Sequence, residues 1–221
     1  MEAAAVNRTV QYSCYFTKSR GGEQFIPEHA LGYVVSGVFE LNDGVHTTTF
    51  NQGEVYFCSR NSLAKYAKYP EEGGEFRSVS VFFDQDMLRR FSLEFGTAAE
   101  QHVPSPAYVK LDSPVLASYM ASLRTFEELF KQRTNEALLA VKQKEAILIL
   151  LQAYPELKNI LFDFSEPGKI DLEAFMNRNY HFNVALPRFA YLTGRSLSTF
   201  KRDFERIFQS TPSRWLLRRR L

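Results

Sequence analysis

Cysteine is scarce: Cys14 and Cys58 are the only two in 221 residues, and neither belongs to a Cys-x-x-Cys pair. Two thiols cannot build a disulfide framework, and without a His-x-x-x-His spacing no zinc-binding set is present either. Long apolar runs are also missing. The longest aliphatic stretch, Ala146–Leu151, falls far short of the ~20 residues a membrane-spanning helix needs. Met1–Val6 has neither the basic flank nor the apolar stretch of a secretory leader. The histidines His29, His46, His102 and His181 stand singly, whereas metal sites need clustered ligands, so no metal and no cofactor is expected. Neither cysteine has a histidine close in sequence to activate it, and an enzyme is not expected. Together these absences suit a soluble chain in a reducing, cytoplasmic compartment without a membrane partner.

What is present is ordinary globular material, 45% hydrophobic and 24% charged, long enough for one large domain or two modest ones. The net charge of +2 hides a division. Residues 169–221 hold 11 basic and 4 acidic residues, against 16 and 21 in the remainder. A basic segment on a mildly acidic body fits a nucleic-acid reader joined to another module; a solvated basic face without a partner fits equally well on charge alone.

From about Val10 to Asp84 the pattern is β: short β-branched and aromatic stretches between turn signals. Gly32–Leu41 reads as one strand, Asn42-Asp43-Gly44 as a hairpin turn, and Val45–Phe50 as its return. Glu54–Cys58, Arg60–Lys68 and the period-two stretch Phe76–Phe83 follow, which together suggest a sandwich or barrel. Pro104, Pro106 and Pro114 then mark a linker-like stretch. Apolar residues from Val115 to Phe130 recur at steps of three and four, as they do over Asn135–Tyr154 until Pro155, predicting two helices paired as a hairpin. Their apolar stripe serves as core or as a homodimer seam. Ser165-Glu166-Pro167-Gly168 is the best boundary, which divides the chain into residues 1–164 and 169–221.

Three helices are expected beyond it, over about Asp171–Tyr180, Leu186–Thr193 and Leu197–Phe208. Gly194 ends the second and Ser196 caps the third. Leu197, Phe200, Phe204, Ile207 and Phe208 form the third helix's buried stripe. Ser198, Lys201, Arg202 and Glu205 fall on its opposite face, with Thr199 alongside. A short helix, a glycine turn and a helix with a polar, basic outer face make a helix-turn-helix, whose side chains enter a DNA major groove. Arg and Lys pair with guanine there and Ser with several base edges, while Arg195, Arg206 and Arg214 are candidates for phosphate contacts.

The run Leu197-Ser198-Thr199-Phe200-Lys201-Arg202-Asp203-Phe204, then Thr211-Pro212, Arg214-Trp215-Leu216 and Arg219-Arg220-Leu221, resembles the first helix-turn-helix of AraC-family regulators. The resemblance implies that Trp215-Leu216 docks a linker helix which Arg218–Leu221 begins. Gln209 stands where the family usually has glycine, so the turn is expected to find another conformation. The family's second helix-turn-helix is absent, and the Arg218-Arg219-Arg220-Leu221 end reads as a cut. The N-terminal part resembles the family's cupin-like sensing and dimerisation domain. The fold expected is therefore α+β: a cupin-like β-barrel with a helical hairpin, then a small all-α helix-turn-helix unit. Tyr33, Val35, Phe39, Phe57 and Phe82 are candidates to line a ligand cavity in the barrel, with a side-chain-filled core as the alternative. The expected function is a DNA-binding transcription regulator, homodimeric, on double-stranded DNA, responding to a small-molecule or protein effector. A protein–protein module is the alternative.

Overall fold

The computed structural model describes residues 9–20, 24–131 and 135–221, the side chain of Lys131 excepted. Among the described residues ten strands occupy the first half: β1 Val10–Tyr15, β2 Phe25–Ile26, β3 His29–Ser36, β4 Val38–Asn42, β5 Thr47–Phe50, β6 Val55–Cys58, β7 Ser62–Leu63, β8 Lys65–Tyr69, β9 Phe76–Phe83 and β10 Tyr108–Leu111. They form a five-stranded sheet of order β1-β9-β3-β6-β10, a three-stranded sheet β5-β4-β8 and the small pair β2-β7.

Strand alternation decides what each face buries. Leu31, Val35, Val55, Phe57, Val79, Val81 and Phe83 project from the large sheet toward helices. Ala30, Val34, Tyr56, Cys58, Phe76 and Tyr108 project the other way and meet Phe39, Leu41 and Phe50 of the smaller sheet. The central strands β3 and β6 are thus buried on both faces along most of their length, which fits their apolar runs, whereas β9 keeps a period-two alternation.

Gly32–Leu41 is not one strand. Gly37 has φ 77°, a left-handed conformation that costs a Cβ-bearing residue about 1–2 kcal/mol, and the chain turns there from the large sheet into the small one. Arg60–Lys68 likewise divides into β7 and β8. The expected hairpin is present, with Asn42 opposite Thr47 and Leu41 opposite Thr48. The proline-rich stretch contains a strand: β10 closes the sheet against β6, and the Tyr108 hydroxyl donates to the carbonyls of Leu41 and His46 at 2.8 and 3.0 Å.

Helix α1 (Gln85–Phe95) follows the last strand of the first run. Asp84 caps it, its carboxylate accepting from Met87 N at 2.7 Å, and Met87, Leu88 and Phe91 are buried. The first helix of the expected hairpin is broken into α2 (Pro114–Ser122), a 3₁₀ turn over Leu123–Phe126 and α3 (Glu127–Lys131). Hydroxyls explain the break: Ser122 donates to Tyr119 O at 2.6 Å and Thr125 to Ser122 O at 2.8 Å, drawing the backbone tighter. Tyr12 of β1 donates to the Leu123 carbonyl at 2.6 Å. Helix α4 (Glu136–Ala153) packs on α2, and a 3₁₀ turn over Pro155–Leu157 leads into α5 (Lys158–Leu161). Leu116, Met120, Leu123, Ala146, Ile147 and Leu150 cover the large sheet.

The remainder is helical: α6 Leu172–Asn179, α7 Leu186–Leu192, α8 Leu197–Phe208 and α9 Pro212–Arg220. Its core is its own, from Leu172 through Phe189, Phe200 and Phe204 to Leu216, except that Phe25 and Leu63 of the β2-β7 pair enter it. Burial of two such side chains contributes up to about 3–6 kcal/mol, so the helical unit is docked rather than merely tethered. Polar contacts reinforce this. Arg60 donates to the carbonyls of Asp163 and Ser165 at 2.8 and 2.7 Å, and Asn183 N donates to Gln24 Oε1 at 2.8 Å.

Candidate nucleic-acid interface

Helix ends position the candidate reading surface. The Asp171 carboxylate accepts from Ala174 N at 3.0 Å and starts α6. Pro187 occupies the first turn of α7, where a missing N–H costs nothing. Gly194 then turns with φ 63°, and a Cβ there would lie 2.4 Å from the Gly168 backbone. Both conformation and space demand glycine. Ser196 caps α8, its hydroxyl accepting from Thr199 N at 3.2 Å.

One side of α8 is driven into the core by Phe200 and Phe204, both fully buried against α6 and α7. The other side is thereby exposed and carries Ser198, Lys201, Arg202, Glu205 and Arg206. The side chains of Arg202 and Arg206 are 77% and 78% exposed. Gln209 ends the helix in the left-handed region (φ 49°, ψ 33°), its side-chain amide donating to Arg206 O at 2.8 Å. The turn therefore keeps the conformation glycine would adopt, correcting the expected departure.

Trp215 docks α9: its ring meets Phe204 edge-on at 5.5 Å and lies 4.7 Å from Phe208 and 5.9 Å from Tyr180. Arg219 lies over the Tyr180 and Trp215 rings, and Arg220 donates to the carbonyls of Tyr180 and Phe182. These two cations hold the unit together, whereas Arg214 is exposed on α9.

Of the residues singled out from sequence, Ser198, Lys201, Arg202 and Glu205 share the exposed face of α8. Thr199 is half-buried and its hydroxyl accepts from the capping Ser196. Arg195 departs from its expected role. Its side chain is 7% exposed, pairs with Asp203 at 3.2 Å and donates to Thr193 O and Ile170 O, so its guanidinium is spent inside the unit. Asp203 itself was not anticipated; its signal was an acid lodged between Phe200 and Phe204 in an otherwise apolar stripe.

The five barrel candidates do not converge on one cavity. Tyr33, Val35 and Phe57 pack with the helices on one face of the large sheet, whereas Phe39 and Phe82 lie between the sheets. The turn at Gly37 puts Phe39 on the other sheet from Val35, and Phe82 lies on the face of β9 opposite to Val81 and Phe83. Between the sheets, Phe39, Phe50 and Tyr56 pack with ring centroids 4.9–6.2 Å apart. A cleft of about 300 Å³ lies instead where barrel and helical unit meet, lined by His29, Arg60, Ser105, Asp163, Ile170 and Leu192. Among the described residues no three of His, Cys, Asp and Glu converge as metal ligands, and no helix is long and apolar enough to cross a membrane.

A β-barrel backed by a helical hairpin and followed by a capped helix-turn-helix defines a DNA-binding transcription regulator of the AraC type, with an N-terminal regulatory domain. Residues 29–160 match the model of the family described as the ExsA N-terminal regulatory domain, and the chain belongs to that family. It is 24% identical over 224 residues to the HTH-type transcriptional regulator ExsA of Pseudomonas aeruginosa, covering 99% of this chain and 79% of that protein. The crystal structure of apo ToxT K231A from Vibrio cholerae shares the fold at 11% identity, with a TM-score of 0.51 over 96% of this chain and 98% of that one. The AraC-like transcriptional activator CuxR is similar at 14% identity and a TM-score of 0.40, over 88% and 66% of the two chains.

Proposed function

We propose that the helical unit lays α8 in the major groove of double-stranded DNA, with Arg202 and Lys201 facing base edges beside Ser198 and Glu205. Arg206 and Arg214 then meet phosphates on either side. The observation that carries this reading is the exposed polar and basic face of α8, set opposite a phenylalanine stripe that fixes the helix on its scaffold. Guanidinium forks match guanine O6 and N7, which supplies discrimination, while phosphate contacts supply affinity without sequence. Salt titrations of duplex binding test it: Arg206→Ala and Arg214→Ala should each flatten the log–log slope by about 0.9, the contribution of one phosphate. Unchanged slopes in both would sink the assignment of these two.

The N-terminal domain would then sense a signal through its surface, by contact with a protein effector. The aromatic filling between the sheets favours this over a small molecule inside the barrel. The same domain would make the protein a homodimer through α2–α4, where Val115, Val141 and Leu148 are exposed. A cytoplasmic location follows from the DNA target. Stabilisation of the N-terminal domain by small molecules drawn from a metabolite set, read in thermal shift and abolished by enlarging Ala30 or Ala64, would argue for the barrel ligand instead.

A further inference from the structure

Asp203 interrupts the buried stripe of α8. It sits between the fully buried Phe200 and Phe204 and is itself 7% exposed. An ionised carboxylate is retained at such depth only when cations and donors surround it. Its Oδ2 accepts from Arg195 Nε at 3.2 Å, while Oδ1 faces Arg202 Nε at 3.7 Å and Arg206 Nη2 at 3.9 Å. Arg195 is the inner partner, and its Nη1 also donates to Thr193 O at 2.6 Å and Ile170 O at 3.0 Å. One guanidinium thus ties the turn before α8, the entry to α6 and the middle of α8 together, a task for which lysine lacks the planar fork. Arg202 and Arg206 are the outer partners, both on the exposed side of the helix.

We propose that Asp203 is a positioning residue for DNA recognition: through Arg195 it fixes α8 on its scaffold, and through its other oxygen it pre-orients Arg202 and Arg206. The proposal rests on the reading of α8 as the groove helix. Pre-orientation reduces the side-chain freedom lost on binding. The carboxylate also offsets part of the outer charge, so that indiscriminate phosphate attraction does not swamp base reading. The acid stays ionised for this, because the Arg195 hydrogen bond and then the neighbouring Arg202 and Arg206 hold its carboxyl below the usual range.

The test is a set of variants in the whole protein, bound to a randomised duplex pool and titrated with salt. Asp203→Asn, nearly isosteric, should bind random duplex more tightly, steepen the salt slope by about one, and flatten base preference about tenfold at the positions Arg202 reads. Arg195→Ala should weaken binding about tenfold with little change in slope, and Asp203→Asn added to it should restore only the part of the loss that comes from the carboxylate left without its inner partner. An Asp203→Asn protein with wild-type slope and preferences overturns the proposal. So does an Arg195→Ala protein whose slope drops by about 0.9 without rescue, since Arg195 would then be touching phosphate itself. Arg202→Ala in the same pool separates the two layers. If it changes preferences and Asp203→Asn does not, the positioning role alone fails; if neither does, the reading of α8 fails as well. Nitrogen-15 spectra of the wild type avoid any folding defect: Arg195 Nε–H should resist solvent exchange with and without DNA, and its release on adding DNA would contradict the proposal.

Discussion

Gln209 offers a measurement in which backbone conformation and side-chain bonding can be separated. The residue has φ 49° and ψ 33° at the end of α8, a conformation that costs a residue with a Cβ about 1–2 kcal/mol. Its side-chain amide donates to Arg206 O at 2.8 Å in an exposed setting, worth about 0.5 kcal/mol net. Gln209→Gly relieves the strain, loses that bond and pays extra chain entropy of about 0.5–1 kcal/mol. It should therefore end near or slightly above the wild type. Gln209→Ala loses the bond and keeps the strain, so it should fall about 0.5 kcal/mol below wild type and about 1 kcal/mol below the glycine variant. Urea unfolding followed by circular dichroism at 222 nm measures all three on one scale. The order glycine, glutamine, alanine is the expected result. An alanine variant as stable as the glycine variant would show that the turn is not held left-handed, and the account of the α8–α9 corner would fall.

His29 is buried, stacked on Phe57, and accepts from Arg60 N through Nδ1. Burial, aided by the Arg60 charge, pulls its pKa down to about 3. The unfolded chain takes up a proton near pH 6.5 and the folded one does not until about pH 3. Stability should therefore decline through that window, by about 2 kcal/mol between pH 7 and 5, and His29→Gln should remove this component in pH-dependent unfolding. If α2–α4 form a dimer seam, Val141→Glu with Leu148→Glu should give a folded monomer in light scattering, whereas Leu123→Glu, at a fully buried site, should unfold the domain. A wild type already monomeric at high concentration would remove the seam. Phe204→Ala should cost about 3–5 kcal/mol and melt the helical unit, which calorimetry would register.

The helical unit was the most legible part of the sequence because its signals are local. Pro187, Gly194, Ser196 and the Phe200–Phe204 spacing each act within a few residues, and α8 has the bounds expected from them. Most strands up to Phe83 were also legible, but sheet membership was not. Gly37's positive φ separates β3 from β4, and the one local sign of it is the Ser36-Gly37 pair inside an otherwise continuous β-branched and aromatic run. Helix α1 follows β9 directly, with Asp84 as both strand exit and cap, and its short stripe of Met87, Leu88 and Phe91 is the only periodic signal it carries. β10 hid between prolines because its pairing with β6 spans about fifty residues, beyond any local pattern. The ligand candidates failed to converge for the same reason: strand parity is a property of the register, not of composition. Arg195 shows the same limit, since a basic residue beside a recognition helix suggests phosphate, while the acid it pairs with lies eight residues on and two helical turns away.

In the proposed complex α8 reads base sequence through Arg202. Selection from a randomised duplex pool by the wild-type protein and by Arg202→Ala, with the protein's signal present, tests it most directly. The wild type should enrich a defined sequence, and Arg202→Ala should lose discrimination at one or two positions by about 1–3 kcal/mol while keeping the rest. No enrichment by the wild type, or identical preferences in the two proteins, would contradict it.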